Sequence, residues 1–210
     1  MSSLCATFSA MKENIKETIL ETSRQLFNEH GYASVTMRDI AKACGISVGN
    51  LTYHYPHKTD ILCTLMEEIQ PHNFSSPVHS FDELYEYLKE MIVGVRKNAF
   101  FFSVSDMQRL DETCFNASKN NVDHLRHTLI ETLHYFKDED YLTDSVTDEV
   151  IRSIVSFWML SHLSWASEDY QNSIYKDTDL HEFLLQHFIV LEPYMSKKGK
   201  EAYLSASFHS

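Results

Sequence analysis

Two short helix-start signals, with an alanine and a glycine spaced between them, constrain the fold of this chain more than any other feature. From Thr36 to His54 the sequence reads TMRDIAKACGISVGNLTYH. Thr36 and Asp39 form a Thr-x-x-Asp start, in which each side chain can bond the other residue's backbone N–H. Ser47 stands where a second short helix needs an N-cap. Two helices that cross at a wide angle need a small residue at the crossing, and Ala41 supplies it. Four residues on, the turn needs positive φ, which Gly45 adopts without a Cβ penalty. Ile40, Cys44, Ile46 and Leu51 provide the apolar side that such a pair must bury. A helical hairpin with a glycine turn would explain Ala41 and Gly45, but not the outward-facing residues considered below.

The flanking sequence is helical as well. Ile15, Ile19, Leu26 and Phe27 recur at helical spacing, and Gly31 follows as a C-terminal cap. Pro56 ends the short helix that Ser47 opens, and a further helix is expected from about His57 to Gln70. Residues 70–80, QPHNFSSPVHS, read as a loop. Beyond it Phe81, Leu84, Leu88, Met91, Ile92 and Val95 step by three and four. So do Val122, Leu125, Leu129, Leu133 and Phe136. With five Gly and four Pro in 210 residues, long helices are favoured over a turn-rich β fold. The expected architecture is all-α: a three-helix helix-turn-helix head over residues 1–62, and a larger helical bundle over 63–210.

Charge divides along the same line. The chain carries 18 Lys+Arg against 30 Asp+Glu, a formal net charge of -12. Residues 1–70 hold six basic and eight acidic side chains, whereas residues 71–210 hold twelve and twenty-two. Within 36–58, Arg38, Lys42 and Lys58 outweigh Asp39, so the acidity belongs to the second part. No uncharged run exceeds the 15 residues between Arg152 and Glu168. A membrane span needs about 20 apolar residues, so no membrane association is expected. The N-terminus lacks a basic stretch followed by an apolar core, and the four cysteines form no CxxC pair. Both features fit a cytoplasmic protein.

The outward side of the second short helix carries the function. Ser47, Val48, Gly49 and Asn50 make a small first turn, which lets backbone approach the floor of a DNA major groove. Tyr53 and His54 follow at its end, within reach of phosphates. Lys58 opens the next helix, where a cation and free N–H groups together suit an anion. These residues, with LFNEHGY before them and VTMRDIAKACGISVGNLTYHYPHKTDIL around them, resemble the TetR family of transcriptional regulators over about Ile15 to Leu62. The resemblance implies DNA contacts from Thr36 and Arg38, from Ser47, Val48, Gly49, Asn50, Tyr53 and His54, and from Lys58. Thr52, Tyr55 and His57 depart from the residues usual at their positions. A local positive surface, doubled in a dimer, reconciles double-stranded operator DNA with an acidic chain.

The family further implies a homodimer through the last two long helices, and a ligand cavity in each subunit. The residues point to the first independently. Between Ile154 and Ala166 apolar side chains fall on every side of one helix, among the small Ser153, Ser161 and Ser164. The stretch LHEFLLQHFIVL is similarly rich, and a helix apolar all round must be covered on both sides. A buried helix in a monomer would look the same. Phe101, Phe102, Met107, Trp158, Met159, His162 and Trp165 are the candidate walls of a cavity for a small hydrophobic or aromatic effector; each fits an ordinary core as well. The expected function is therefore an effector-released repressor on a palindromic operator. An effector-free DNA-binding dimer or an activator is the alternative.

An enzyme has little support, because there is no Gly-rich phosphate loop, no GxSxG and no HExxH. No cofactor and no metal site are expected. His124 and His127, or His54 and His57, share helical faces, but exposed helical histidines are ordinarily solvated. Cys44 and Cys63 stand at apolar positions, where a buried and unreactive thiol is expected.

Overall fold

Helix is the dominant structure throughout the computed structural model, which describes residues 2–67, 74, 76–102, 112–166 and 179–209. Among these residues there is no strand, only an isolated antiparallel bridge between Leu142 and Met195. The fold is all-α, as the apolar periodicity requires. The chain forms two compact units, Met1–Glu68 with Lys97–Ser118, and Ile69–Arg96 with Lys119–Ser210.

The first unit holds α1 (Ser2–His30), α2 (Met37–Ala43), α3 (Val48–His54) and α4 (Lys58–Glu67). α1 ends where Gly31 takes φ 77 and returns its N–H to Phe27, at 2.9 Å. A 3-10 turn, Tyr32–Ser34, then leads into α2. Ile19, Phe27, Ile40, Ala41, Leu51, Ile61, Leu62 and Leu65 bury almost completely into one core. The segment after Arg96 closes onto α1: the Asn28 amide donates to Lys97 O at 3.1 Å and accepts from Phe100 N–H at 3.0 Å. Phe100 packs its ring 5.2 Å from that of Phe27, and buried Arg24 donates to Asn98. Cys44 and Cys63 are only half-buried at the edge of this core, less covered than their apolar spacing implied.

The second unit is built on α5 (Phe81–Lys97), α6 (Glu112–Asp138), α7 (Asp148–Ala166), α8 (Leu180–Leu191) and α9 (Lys197–Leu204). The chain passes between units within α5 and within α6. The stripes on α5 and α6 face the core, with Leu84, Leu88, Ile92, Leu129, Leu133 and Phe136 fully buried. Val122 is an exception: it lies on the apolar stripe of α6 yet is 41% exposed. Aromatic rings hold the C-terminal end in place. Phe208 stacks on Tyr85 at 4.6 Å and on Phe188 at 5.2 Å. α9 approaches the 139–142 turn so closely that a Cβ on Gly199 would lie 1.9 Å from Tyr141 O.

Candidate nucleic-acid interface

Local hydrogen bonds define the geometry of α2 and α3. At the start of α2 the Thr36 hydroxyl accepts from Asp39 N–H, and the Asp39 carboxylate accepts from Thr36 N–H at 2.9 Å. These bonds, together with the Thr36 hydroxyl's own bond to the carboxylate, hold the Asp39 carboxyl below its usual range. At the other end Ile46 N–H bonds Ala41 O at 3.0 Å and Gly45 N–H bonds Lys42 O at 3.2 Å. This paired closure satisfies the last carbonyls of the helix and requires positive φ at its centre, where Gly45 has φ 67. Ser47 then caps α3 by accepting from Asn50 N–H at 3.1 Å. Leu51 is buried beneath it, fixing which face of α3 points outward.

That outward face contains the expected residues. Ser47, Gly49 and Asn50 are exposed, as are Thr36 and Arg38 on α2. Val48 is 40% and Tyr53 68% exposed, and they are the large apolar side chains left uncovered in this unit among the described residues. The Tyr53 ring meets that of half-buried His54 edge-on at 5.2 Å. Gly49 is informative because nothing internal asks for it. It has no positive φ, and a Cβ there would meet only Ser47 Oγ, at 3.9 Å. A glycine inside a short helix costs about 1 kcal/mol relative to alanine. Neither the backbone conformation nor a neighbouring side chain therefore requires a glycine at this position.

Lys58, the residue expected to face a phosphate, has partners within the protein in the absence of DNA. It is the first residue of α4, but its ammonium turns inward and donates to Tyr32 O and Val35 O, both at 2.7 Å. The same ammonium lies 4.1 Å from the centroid of the Tyr32 ring.

The candidate effector walls are distributed differently from the expectation. Met107 lies outside the described residues. Phe101 and Phe102 lie in the 3-10 turn Ala99–Phe102, and their side chains lie outside the described set as well. Trp158, His162 and Trp165 do share one face of α7, but each is at most 2% exposed and packed against neighbours. Trp165 stacks on Phe183 at 4.8 Å and receives the Arg96 guanidinium at 4.0 Å. Met159 is half-buried against the same core. Trp158, Trp165 and Met159 pack in the core cluster to which α8 contributes Phe183 and Leu184.

One member of this group was missed in the sequence. His187 on α8 lies with its Nε2 3.2 Å from His162 Nδ1 and 3.1 Å from Ser161 Oγ. His162 also places Nδ1 2.7 Å from Trp158 O and Nε2 3.2 Å from Leu88 O. Burial pushes His162 down to about 4 and His187 to about 3, with His162 adding to the depression of His187. The signal was present, since Phe183, Leu184, His187, Phe188 and Leu191 form one buried stripe. Trp158 is fully buried, and its indole N–H has no hydrogen-bond partner among the described residues.

Comparison with known proteins agrees with this geometry. Residues 19–63 match the profile of the bacterial regulatory proteins of the tetR family, and residues 63–203 match that of a bacterial transcriptional repressor of the same group. The chain belongs to the TetR family of DNA-binding transcriptional regulators. It is 31% identical over 85 residues to the HTH-type transcriptional regulator UidR of Escherichia coli. That match covers 39% of this chain and 43% of UidR, so it spans less than half of the relative's length. The chain is 25% identical over 154 residues to IcaR, the negative regulator of the biofilm operon icaADBC in Staphylococcus aureus, covering 70% and 81% respectively. The SmeT–triclosan complex shares the fold at a TM-score of 0.65 and 17% identity, covering 88% of this chain and 93% of that one. Among the described residues no helix is long and apolar enough to cross a membrane.

Proposed function

We propose that the protein is an effector-responsive repressor that binds a palindromic operator as a homodimer. The observation that carries the DNA-contact assignment is Gly49. This glycine is unnecessary for the fold, and it sits in the first turn of α3 beside exposed Ser47, Val48 and Asn50. A helix that enters a major groove reads bases from its first turn, and an absent side chain there lets the backbone come close. Thr36, Arg38, Tyr53 and His54 flank that turn as phosphate and base contacts.

Dimerisation is supported by α7. Phe157 is 53%, Leu160 65% and Leu163 39% exposed, and they alternate along the helix with exposed Ser153, Ser156 and Ser164. Ile189 on α8 is 60% exposed. An apolar stripe with small residues allows close helix packing and loses least in water when a second copy covers it. Regulation by an effector is supported by the buried Trp158 N–H, which a ligand acceptor would satisfy, and by the triclosan that SmeT holds in its complex. The close packing of Trp165 on Phe183 favours a second reading, in which the dimer has no effector.

One experiment separates these readings. The wild-type protein is used to select duplexes from a randomised pool, and the selected sequence is footprinted. A two-fold symmetric footprint is expected, with half-sites about 34 Å apart or a longer multiple. Aromatic compounds are then screened for quenching of the two tryptophans and for release of that duplex. Release weakening binding roughly five- to 150-fold, with DNA weakening the compound by the same factor, is the expected result. Saturable quenching without release would favour the effector-free dimer, and an asymmetric footprint would overturn the palindrome.

A further inference from the structure

The first turn of α4 carries a lysine that a helix N-terminus does not favour. The partial positive charge there disfavours a cation by a few tenths of a kcal/mol or more. Asp60 in the same turn already supplies a compensating carboxylate, which accepts from His57 N–H at 2.7 Å. The sequence pattern places the Lys58 side chain toward a phosphate there. Its side chain instead crosses to the turn before α2.

The two carbonyls it reaches are not equivalent. Tyr32 O belongs to the 3-10 turn that follows α1, and Val35 O belongs to the peptide unit that enters α2. The N–H of that same peptide unit, on Thr36, is held by the Asp39 carboxylate at 2.9 Å. One peptide plane is therefore gripped at both ends, by an anion from α2 and a cation from α4. Charge-assisted bonds of this length are the stronger class. The Tyr32 ring, itself buried against Phe27 at 5.1 Å, lies under the ammonium and adds a cation–π contact. Rotation of the Val35–Thr36 peptide would re-aim Thr36 and the α2 axis, and with them Arg38.

We propose that Lys58 is a positioning residue for DNA binding: it locks the entry of α2 so that Thr36 and Arg38 meet the duplex, and it is not itself a phosphate ligand. This rests on the DNA-contact assignment above. The two roles differ in salt dependence. A phosphate ligand releases a counterion, so its removal flattens the plot of log affinity against log salt by about one unit per half-site. A positioning residue shifts that plot downward without changing its slope.

The test uses Lys58→Met, which keeps the stem and removes the donors, on the full chain and well below its melting transition. The DNA probe is the duplex selected by the wild-type protein. Expected results are about tenfold weaker binding at every salt concentration, a parallel salt plot, and faster amide exchange at Val35–Ile40 in the DNA-free protein. Unchanged affinity, or a slope lower by about one unit per half-site, overturns the proposal. If Lys58→Met fails to fold, Lys58→Gln, which is polar but uncharged and one bond shorter, is read in the same way. Failure of the wild-type protein to select any duplex would count against the DNA-contact assignment alone. The exchange measurement would then decide the Lys58 lock by itself, with unchanged protection at Val35–Ile40 overturning it.

Discussion

Gly45 and Gly49 are four residues apart, and their reasons for being glycine are opposite. Gly45 has φ 67, and no atom beyond its own and its chain neighbours' lies within 4 Å of the point where a Cβ would stand, so its constraint is conformational. Gly45→Val places a β-branched residue in the left-handed region, at a cost of about 1–3 kcal/mol. Chemical denaturation should show that loss in the first unit, together with loss of DNA binding, while the oligomeric state is unchanged. A monomeric Gly45→Val protein would argue against two separable units. Gly49 has ordinary backbone and open space around it. Gly49→Ala should raise stability by about 0.5–1 kcal/mol through the better helix former, yet weaken duplex binding because the added methyl points at the groove. Stability and affinity moving in the same direction would remove the DNA reading of that face.

At the scale of elements, α7 and α8 meet through a polar contact inside an apolar core. His162 and His187 are held neutral by burial, with values near 4 and 3 when folded and about 6.5 when unfolded. Below pH 6.5 the unfolded chain takes up protons that the folded chain refuses. Stability therefore falls as pH drops through the window from about 6.5 to about 4 for His162 and to about 3 for His187. For the pair this amounts to roughly 4 kcal/mol between pH 7 and pH 5. Urea titrations at the two pH values measure it, and a His162→Phe, His187→Leu double variant should lose that component while keeping the part due to carboxylates. An unchanged pH dependence in the double variant would show that the two rings are not responsible.

For the whole molecule the question is how an acidic chain, with an excess of basic side chains only within residues 36–58, binds a polyanion. The proposed dimer doubles the head, and the exposed stripe of α7 is the surface proposed for that contact. Leu160→Glu places a charge on the residue with 65% exposure at the middle of that stripe. In a monomer such a surface change is worth less than about 0.5 kcal/mol. In a dimer it buries an unpaired charge twice. Sedimentation should therefore show a monomer with nearly wild-type helix content, whose affinity for the palindromic duplex falls steeply because two linked heads have become one. A Leu160→Glu protein that remains dimeric would move the interface off this face.

The features legible in the sequence were those settled within a few residues. Thr36 and Asp39, Gly45, and Ser47 bond or bend the backbone next to themselves, so residue type and order determine them. The stripes on α5 and α6 similarly follow from helical spacing, although Val122 shows that a stripe position need not be covered. What only the tertiary structure decided lies between residues far apart in the chain. Lys58 finds its acceptors 26 and 23 residues away, and His187 meets His162 across 25. Trp158 and Trp165 became core because α8 packs beside them, which their own helix could not specify. Such contacts depend on where helices cross, and a side chain long enough to reach two neighbours is committed to one only when both are in place.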